Sequence, residues 1–283
     1  MTHKELDPRT HAFRPDLADL ALKAFISAPT YVEASIHQCV TGVAPLLVAP
    51  TDDAPRLSEI RYGEFVDHFE SREDGFAWVQ NRNDRTVGYI WEEGALNESI
   101  SALMNRVTAL HTFIYEEPDV RSGVWDRLTL GSYVSLNGDA GDFYPLAAGG
   151  FVFKKHVAPT DEAQTRDYVF TAGQLLNAPY LHGGRTPLGV DAAGLVQLAL
   201  DMAGVDSPRF VDQQMDLFGH PLPCHWRDIT WKRGDILFFE DHVGLMTSGE
   251  YIISADMNMM QVIVEPLEEL VRRRGSIIAA GRP

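Results

Sequence analysis

From Val40 to Phe153 the chain runs in short stretches of β-branched and aromatic residues broken by Gly, Asp, Asn and Pro. Val43–Val48, Ile60–Val66, Phe76–Gln80 and Val87–Ile90 form one group of such stretches. Val107–Leu110, Phe113–Tyr115, Leu128–Val134, Phe143–Leu146 and Gly150–Phe153 form a second. Stretches this short, with turn residues between them, predict antiparallel strands rather than helices. Each group opens on a valine, Val40 or Val107, and reaches a central glycine, Gly63 or Gly131, 23 or 24 positions later. The matching interval points to a tandem duplication of one small β-barrel or sandwich. Residues 97–105 between the copies read as a linker or short helix. Trp78, Tyr89, Tyr133 and Phe151 fall where packed aromatic positions of such barrels belong.

Beyond residue 160 the period lengthens. Asp161 and Glu162, ahead of Tyr168, Val169, Ala172, Leu175 and Leu176, predict an amphipathic helix with acids in its first turn. A second helix is predicted from about Ala192 to Ala203, where Leu195, Val196, Ala199 and Met202 recur at helical spacing. Asp191 supplies its N-cap and Gly204 its stop. Strands follow at 235–239, 242–247, 250–255 and 260–264, then a helix over about 267–274. One helix on an antiparallel sheet makes this part α+β. The expected organisation is an N-terminal extension (1–37), a first barrel (38–96), a second barrel (106–159) and an α+β domain (160–283).

Composition narrows the function classes. The chain has 283 residues, 45% of them hydrophobic and 23% charged, as in an ordinary globular protein. Its net charge of −16 repels phosphate backbones and anionic bilayers, which disfavours nucleic acid and membrane partners. The first residues carry Lys4, Glu5, Asp7, Arg9, Arg14 and Asp16 without an apolar run, so no secretory signal is expected. Two cysteines, Cys39 and Cys224, are too few for a disulfide framework, and a cytoplasmic location is expected. The histidines are scattered without metal-ligand spacing, so neither a metal nor another cofactor is expected.

The chemistry concentrates after residue 179. Tyr180-Leu181-His182-Gly183-Gly184 leads to Asp191-Ala192-Ala193-Gly194-Leu195 at the predicted helix start. Arg233-Gly234-Asp235-Ile236-Leu237-Phe238-Phe239 and His242-Val243-Gly244-Leu245 follow, His242 lying fifty positions after Ala192. Together these segments resemble the NlpC-type cell-wall peptidases, papain-like cysteine enzymes with the pattern Y-x-W-G-G, D-C-S-G-L, R-G-D-L-x-F-F and H-V-G-I. The strand groups ahead of them resemble the bacterial Src-homology-3-like domains that often precede NlpC-type catalytic domains. The resemblance implies a papain-like α+β domain that hydrolyses stem peptides of peptidoglycan, typically between γ-D-glutamate and a diamino acid. It also implies three catalytic positions: a cysteine nucleophile at the helix start, a histidine base, and an orienting polar residue about twelve positions later.

Carried onto this chain, those positions hold Ala192, His242 and Ser254. A thiol at a helix N-terminus gains from the free amides and the dipole there, whereas a methyl group has no lone pair with which to attack a carbonyl. Deleting a nucleophile costs about a millionfold in kcat in a well-studied serine protease. Ala193 in place of serine and His182 in place of tryptophan are further departures. The chain is therefore expected to be inactive, binding a muropeptide or regulating an active paralogue. Two alternatives stay open: a working endopeptidase whose cysteine has been replaced, and an interaction module acting through the barrels. Cys224, beside His225 in a proline-containing loop, is expected to be a tolerated thiol rather than a relocated nucleophile. Asp256 is an orienter for His242 only if the strand register shifts. By the same resemblance, Tyr180 and Asp191 correspond to residues lining a pocket for the free amine of L-Ala-γ-D-Glu peptides. Asp191 is then either a partner for an ammonium or a plain N-cap, and Arg185 either a partner for a peptide carboxylate or a solvated loop residue.

Overall fold

The computed structural model describes residues 6–98, 101–102, 104–160 and 165–283. The chain divides into two compact units, Met1–Asp161 and Glu162–Pro283.

In the first unit, Leu17–Asp19 (β1) pairs in parallel with Thr30–Val32 (β2). Seven antiparallel strands follow: Ser35–Cys39 (β3), Val43–Leu47 (β4), Arg56–Arg61 (β5), Phe65–Ser71 (β6), Phe76–Asn81 (β7), Val87–Trp91 (β8) and Leu96–Asn97 (β9). They form one sheet in the order β5-β4-β8-β7-β6-β3-β9. Alternate residues turn inward, so Ala44, Leu46, Ile60, Val66, Ala77, Val79 and Ile90 make one core. Strand β7 is buried along its whole length because the other face is covered too. Ala12 and Leu17, from the segment ahead of the sheet, pack there on Phe69, Trp78 and Val87.

The second strand group comprises Asn105–Val107 (β10), His111–Tyr115 (β11), Val124–Thr129 (β12), Tyr133–Val134 (β13), Phe143–Pro145 (β14), Phe151–Phe153 (β15) and Val157–Pro159 (β16). These pair as β12-β11-β15-β14 and β13-β10-β16, around Val107, Ile114, Leu128, Val134, Leu146 and Val152. The predicted linker is in part strand, since β9 ends at Asn97 and β10 begins at Asn105; residues 99, 100 and 103 lie outside the described residues. Gly63 and Gly131 occupy matching turns, β5 to β6 and β12 to β13, with φ of +84° and +83°. A Cβ on Gly63 would stand 2.2 Å from the Tyr133 carbonyl oxygen, and one on Gly131 2.2 Å from an Arg61 nitrogen. The two turns meet face to face, and only glycine combines that approach with a positive φ.

The second unit is α+β, as expected. Its helices are Tyr168–Gln174 (α1), Ala192–Met202 (α2), Val211–Phe218 (α3) and Leu267–Arg274 (α4). Arg185–Thr186 (β17) and Gly189–Val190 (β18) form a short hairpin. Ile236–Phe238 (β19), Val243–Met246 (β20), Tyr251–Asp256 (β21), Gln261–Pro266 (β22) and Ala279–Gly281 (β23) form an antiparallel sheet in the order β22-β21-β20-β19-β23. Helix α2 packs on β20 and β21, and α1 packs on α2. Helix α1 starts later than its acids suggested: the Asp167 carboxylate accepts the Phe170 N–H and caps it, while Asp161 and Glu162 lie outside the described residues. Sequence reasoning missed α3, whose buried positions are the polar Gln214 and Phe218, and it missed β23.

Candidate active site

The loop before α2 is built around one carboxylate. Asp191 Oδ1 accepts the Gly194 N–H at 2.8 Å and so caps the helix, while Oδ2 accepts the Gly183 N–H at 2.9 Å. Arg209, 1% exposed, grips both oxygens at 3.0 and 2.6 Å and also reaches the Gly184 carbonyl. Asp191 is thus already engaged by a cation, and an incoming ammonium would have to compete with Arg209. The glycine pair has separate reasons: Gly183 sits at φ +75°, and a Cβ on Gly184 would lie 2.3 Å from the Gly189 carbonyl oxygen. Gly194, in the first turn of α2, presses on the same loop, since a Cβ there would lie 2.2 Å from the Gly184 oxygen. This close packing fixes where the helix begins. Ala192 occupies its first position, 6% exposed, and presents a methyl group.

His242 ends the tight connection between β19 and β20, where its carbonyl accepts the Phe239 N–H at 2.8 Å. Its ring is 2% exposed, and Nε2 is buried without a hydrogen-bond partner. Burial, helped by the nearby Arg274 charge, lowers its pKa from 6.5 to about 4 against the weaker opposing pull of Asp256 and Asp241. At neutral pH the ring is uncharged. Neither Ser254 nor Asp256 takes Nε2, so neither side chain orients the imidazole at that nitrogen. Strand β20 pairs with β21 with Leu245 opposite Ile253; extended along the strands, that register sets Asp256, rather than Ser254, across from His242.

Asp256 is fully buried and well supplied. Its carboxylate accepts N–H groups from Asn258 and Met259 at 2.8 and 3.0 Å and pairs with Arg273 at 3.0 Å and Arg274 at 3.4 Å. Burial works to raise its pKa, but the Arg273 hydrogen bond and the two amides outweigh it, and the net shift is downward. Ser254 lies on the same strand, 1% exposed.

Tyr180 is half-buried beside β18, and burial raises its pKa, with the Asp191, Arg274, Arg209 and Asp241 charges adding smaller effects. Tyr180 and His242 therefore share Arg274 and Asp241 as electrostatic neighbours. Arg185 is 3% exposed on β17, which excludes the solvated-loop reading. Cys224 is exposed, and the adjacent His225 uses Nδ1 to accept the Arg227 N–H. Arg209 and Arg274, which dominate the electrostatics here, went unnoticed in the sequence; nothing in local spacing ties them to Asp191 or His242. Among the described residues of this unit, no group of three His, Cys, Asp or Glu side chains gathers as metal ligands would.

Residues 177–274 match the NlpC/P60 family, and residues 46–94 match the bacterial dipeptidyl-peptidase Sh3 domain. Dipeptidyl-peptidase 6 of Lysinibacillus sphaericus is 26% identical over 254 residues, spanning 81% of this chain and 91% of that protein. An NlpC/P60 family protein from Bacillus cereus has a similar structure, with a TM-score of 0.69 and 16% identity over 88% of this chain and 99% of its own. An NlpC/P60 endopeptidase from Photobacterium damselae subsp. piscicida gives a TM-score of 0.57 at 12% identity, over 87% of this chain and 71% of its own. These structural likenesses speak to the fold. The chain carries an NlpC/P60 domain behind a bacterial Sh3 domain.

Proposed function

We propose that this chain is a non-hydrolysing relative of the peptidoglycan stem-peptide endopeptidases that keeps a cleft for a muropeptide. The observation that carries the proposal is Ala192 at the first position of α2, where a thiolate would gain from the helix amides and a methyl group gains nothing. Two features support it. His242 is held uncharged by burial, with an unpartnered Nε2, so it is not poised as one half of an ion pair. Ser254 stands at the orienting position that the resemblance assigns, usually a histidine, and neither it nor Asp256 meets His242 Nε2. The relationship to a dipeptidyl-peptidase favours peptides as the ligand class, and Tyr180 beside the capped Gly183–Asp191 loop is where the resemblance would seat the peptide.

The test uses L-Ala-γ-D-Glu-diaminopimelate. The unaltered chain is expected to bind it in calorimetry and to leave it uncut. The Ala192→Cys/Ser254→His double variant is expected to hydrolyse it measurably. Turnover of that peptide by the unaltered chain at enzyme-like rates would falsify the proposal. A cysteine codon at position 192 of the native gene would instead favour a working endopeptidase. Absence of binding at millimolar peptide, with a protein partner recovered through the N-terminal unit, would favour an interaction module.

A further inference from the structure

The first unit contains a second cluster of chemistry that the proposed function leaves unused. Strand β3 pairs with β6 with Ser35 opposite His68 and His37 opposite Val66, so His37 and His68 are diagonal neighbours on one face of the sheet. Their rings lie 4.3 Å apart between centroids, tilted by 31°. Glu92, just past the end of β8, reaches the same place, and His68 Nε2 is 3.1 Å from its Oε1. One donor atom from each of the three side chains lies within 4.8 Å of the other two. Bonds of about 2.0–2.1 Å to a tetrahedral zinc ion would set donors roughly 3.3 Å apart. The His68–Glu92 separation of 3.1 Å is close to that spacing, and the Ser71 hydroxyl lies 3.2 Å from the same His68 nitrogen.

His37 is 6% exposed and His68 is half-buried, so both imidazoles are largely withdrawn from bulk water. Ser35 Oγ lies 3.4 Å from His37 Nδ1 and steadies that ring through the nitrogen opposite Nε2. His37 Nε2 lies 3.7 Å from the carboxylate of Glu98, an exposed side chain at the rim. The Ser71 hydroxyl donates to Glu92 Oε1 at 2.8 Å, holding that carboxylate in place. Two imidazoles and one carboxylate form a mixed N/O donor set typical of zinc and neighbouring divalent transition metals.

The geometry points to a divalent transition-metal site, with zinc as its representative ion, held by His37, His68 and Glu92. Such an ion ties together β3, β6 and the end of β8, strands far apart in sequence. It acts as a structural clip and uses none of the residues of the proposed peptide site, so it stands or falls independently of the peptide reading.

Calorimetric titration of the metal-stripped full chain with zinc is expected to show one equivalent bound, and zinc is expected to raise the thermal midpoint. His37→Gln and His68→Gln should each weaken zinc at least about tenfold, a ligand mattering no less than the outer-shell partners whose loss costs that much. Cys224→Ser should leave binding intact, which excludes the exposed thiol as the donor. Should the glutamine variants fail to fold, imidazole nitrogen-15 spectra of the unaltered chain decide the matter: zinc should shift the His37 and His68 nitrogens. Absence of zinc binding overturns the site, as does binding unchanged in the His37→Gln/His68→Gln double variant, or shifts confined to other histidines.

Discussion

His242 is the position where burial has a measurable consequence. Its folded pKa is about 4 against 6.5 when exposed, so between those values the unfolded chain binds a proton that the folded chain does not. The stability that follows from this is fully present above pH about 6.5 and is lost as pH falls towards 4, on the order of 3 kcal/mol in all. Urea unfolding at neutral pH and near pH 4.5 should show His242→Gln losing about 2–3 kcal/mol less than the unaltered chain over that interval. Equal losses would mean that the ring is not held neutral. The cysteines make a second contrast. Burial pushes the Cys39 thiol up to about 12, while Cys224 is exposed. Iodoacetamide on the folded protein should therefore label Cys224 alone, with Cys39 labelled only after denaturation. Ala192 and His242 could be located from motif spacing because short motifs survive as strings. Arg209 and Arg274 could not, because a charge acting on a residue 18 or 32 positions away leaves no local pattern.

Helix α2 owes its start to the loop before it. Asp191→Ala removes a cap worth about 1 kcal/mol and strips the buried Arg209 of its carboxylate, so a total destabilisation of about 3–5 kcal/mol is expected. Asp191→Asn keeps a cap acceptor and should cost less, by about 1 kcal/mol, in the same thermal or urea measurement. Gly194→Ala tests packing against propensity. Alanine favours an exposed helix interior by about 1 kcal/mol over glycine, yet here its Cβ would lie 2.2 Å from the Gly184 oxygen. A net destabilisation of about 1–3 kcal/mol is expected, and a stabilised Gly194→Ala would refute the close approach. Helices with an apolar stripe or a clear cap were readable in advance. Helix α3 was not, because Gln214 buries an amide that donates to the Ala193 and Pro208 carbonyls and so breaks the apolar period.

The net charge of −16 and an isoelectric point near 4.9 predict minimal solubility close to that pH and no retention on DNA or anionic vesicles at physiological salt. Column retention and turbidity against pH check both. Among the described residues, no helix is long and apolar enough to cross a membrane. Many of the strands between Val43 and Phe153, helices α2 and α4, the capped start of α2 and the alanine at its head could be read from the linear chain. Each rests on neighbours within a few positions: alternation, caps, turn glycines and a contiguous motif. What the chain could not disclose depends on residues distant in sequence meeting in space. The Asp191–Arg209 pair, the Arg274 charge beside His242, the facing turns at Gly63 and Gly131, and the gathering of His37, His68 and Glu92 all arise from strand register and helix packing. Tertiary contact chose those partners, because the free energy of a buried charge or donor depends on what surrounds it rather than on what adjoins it along the backbone.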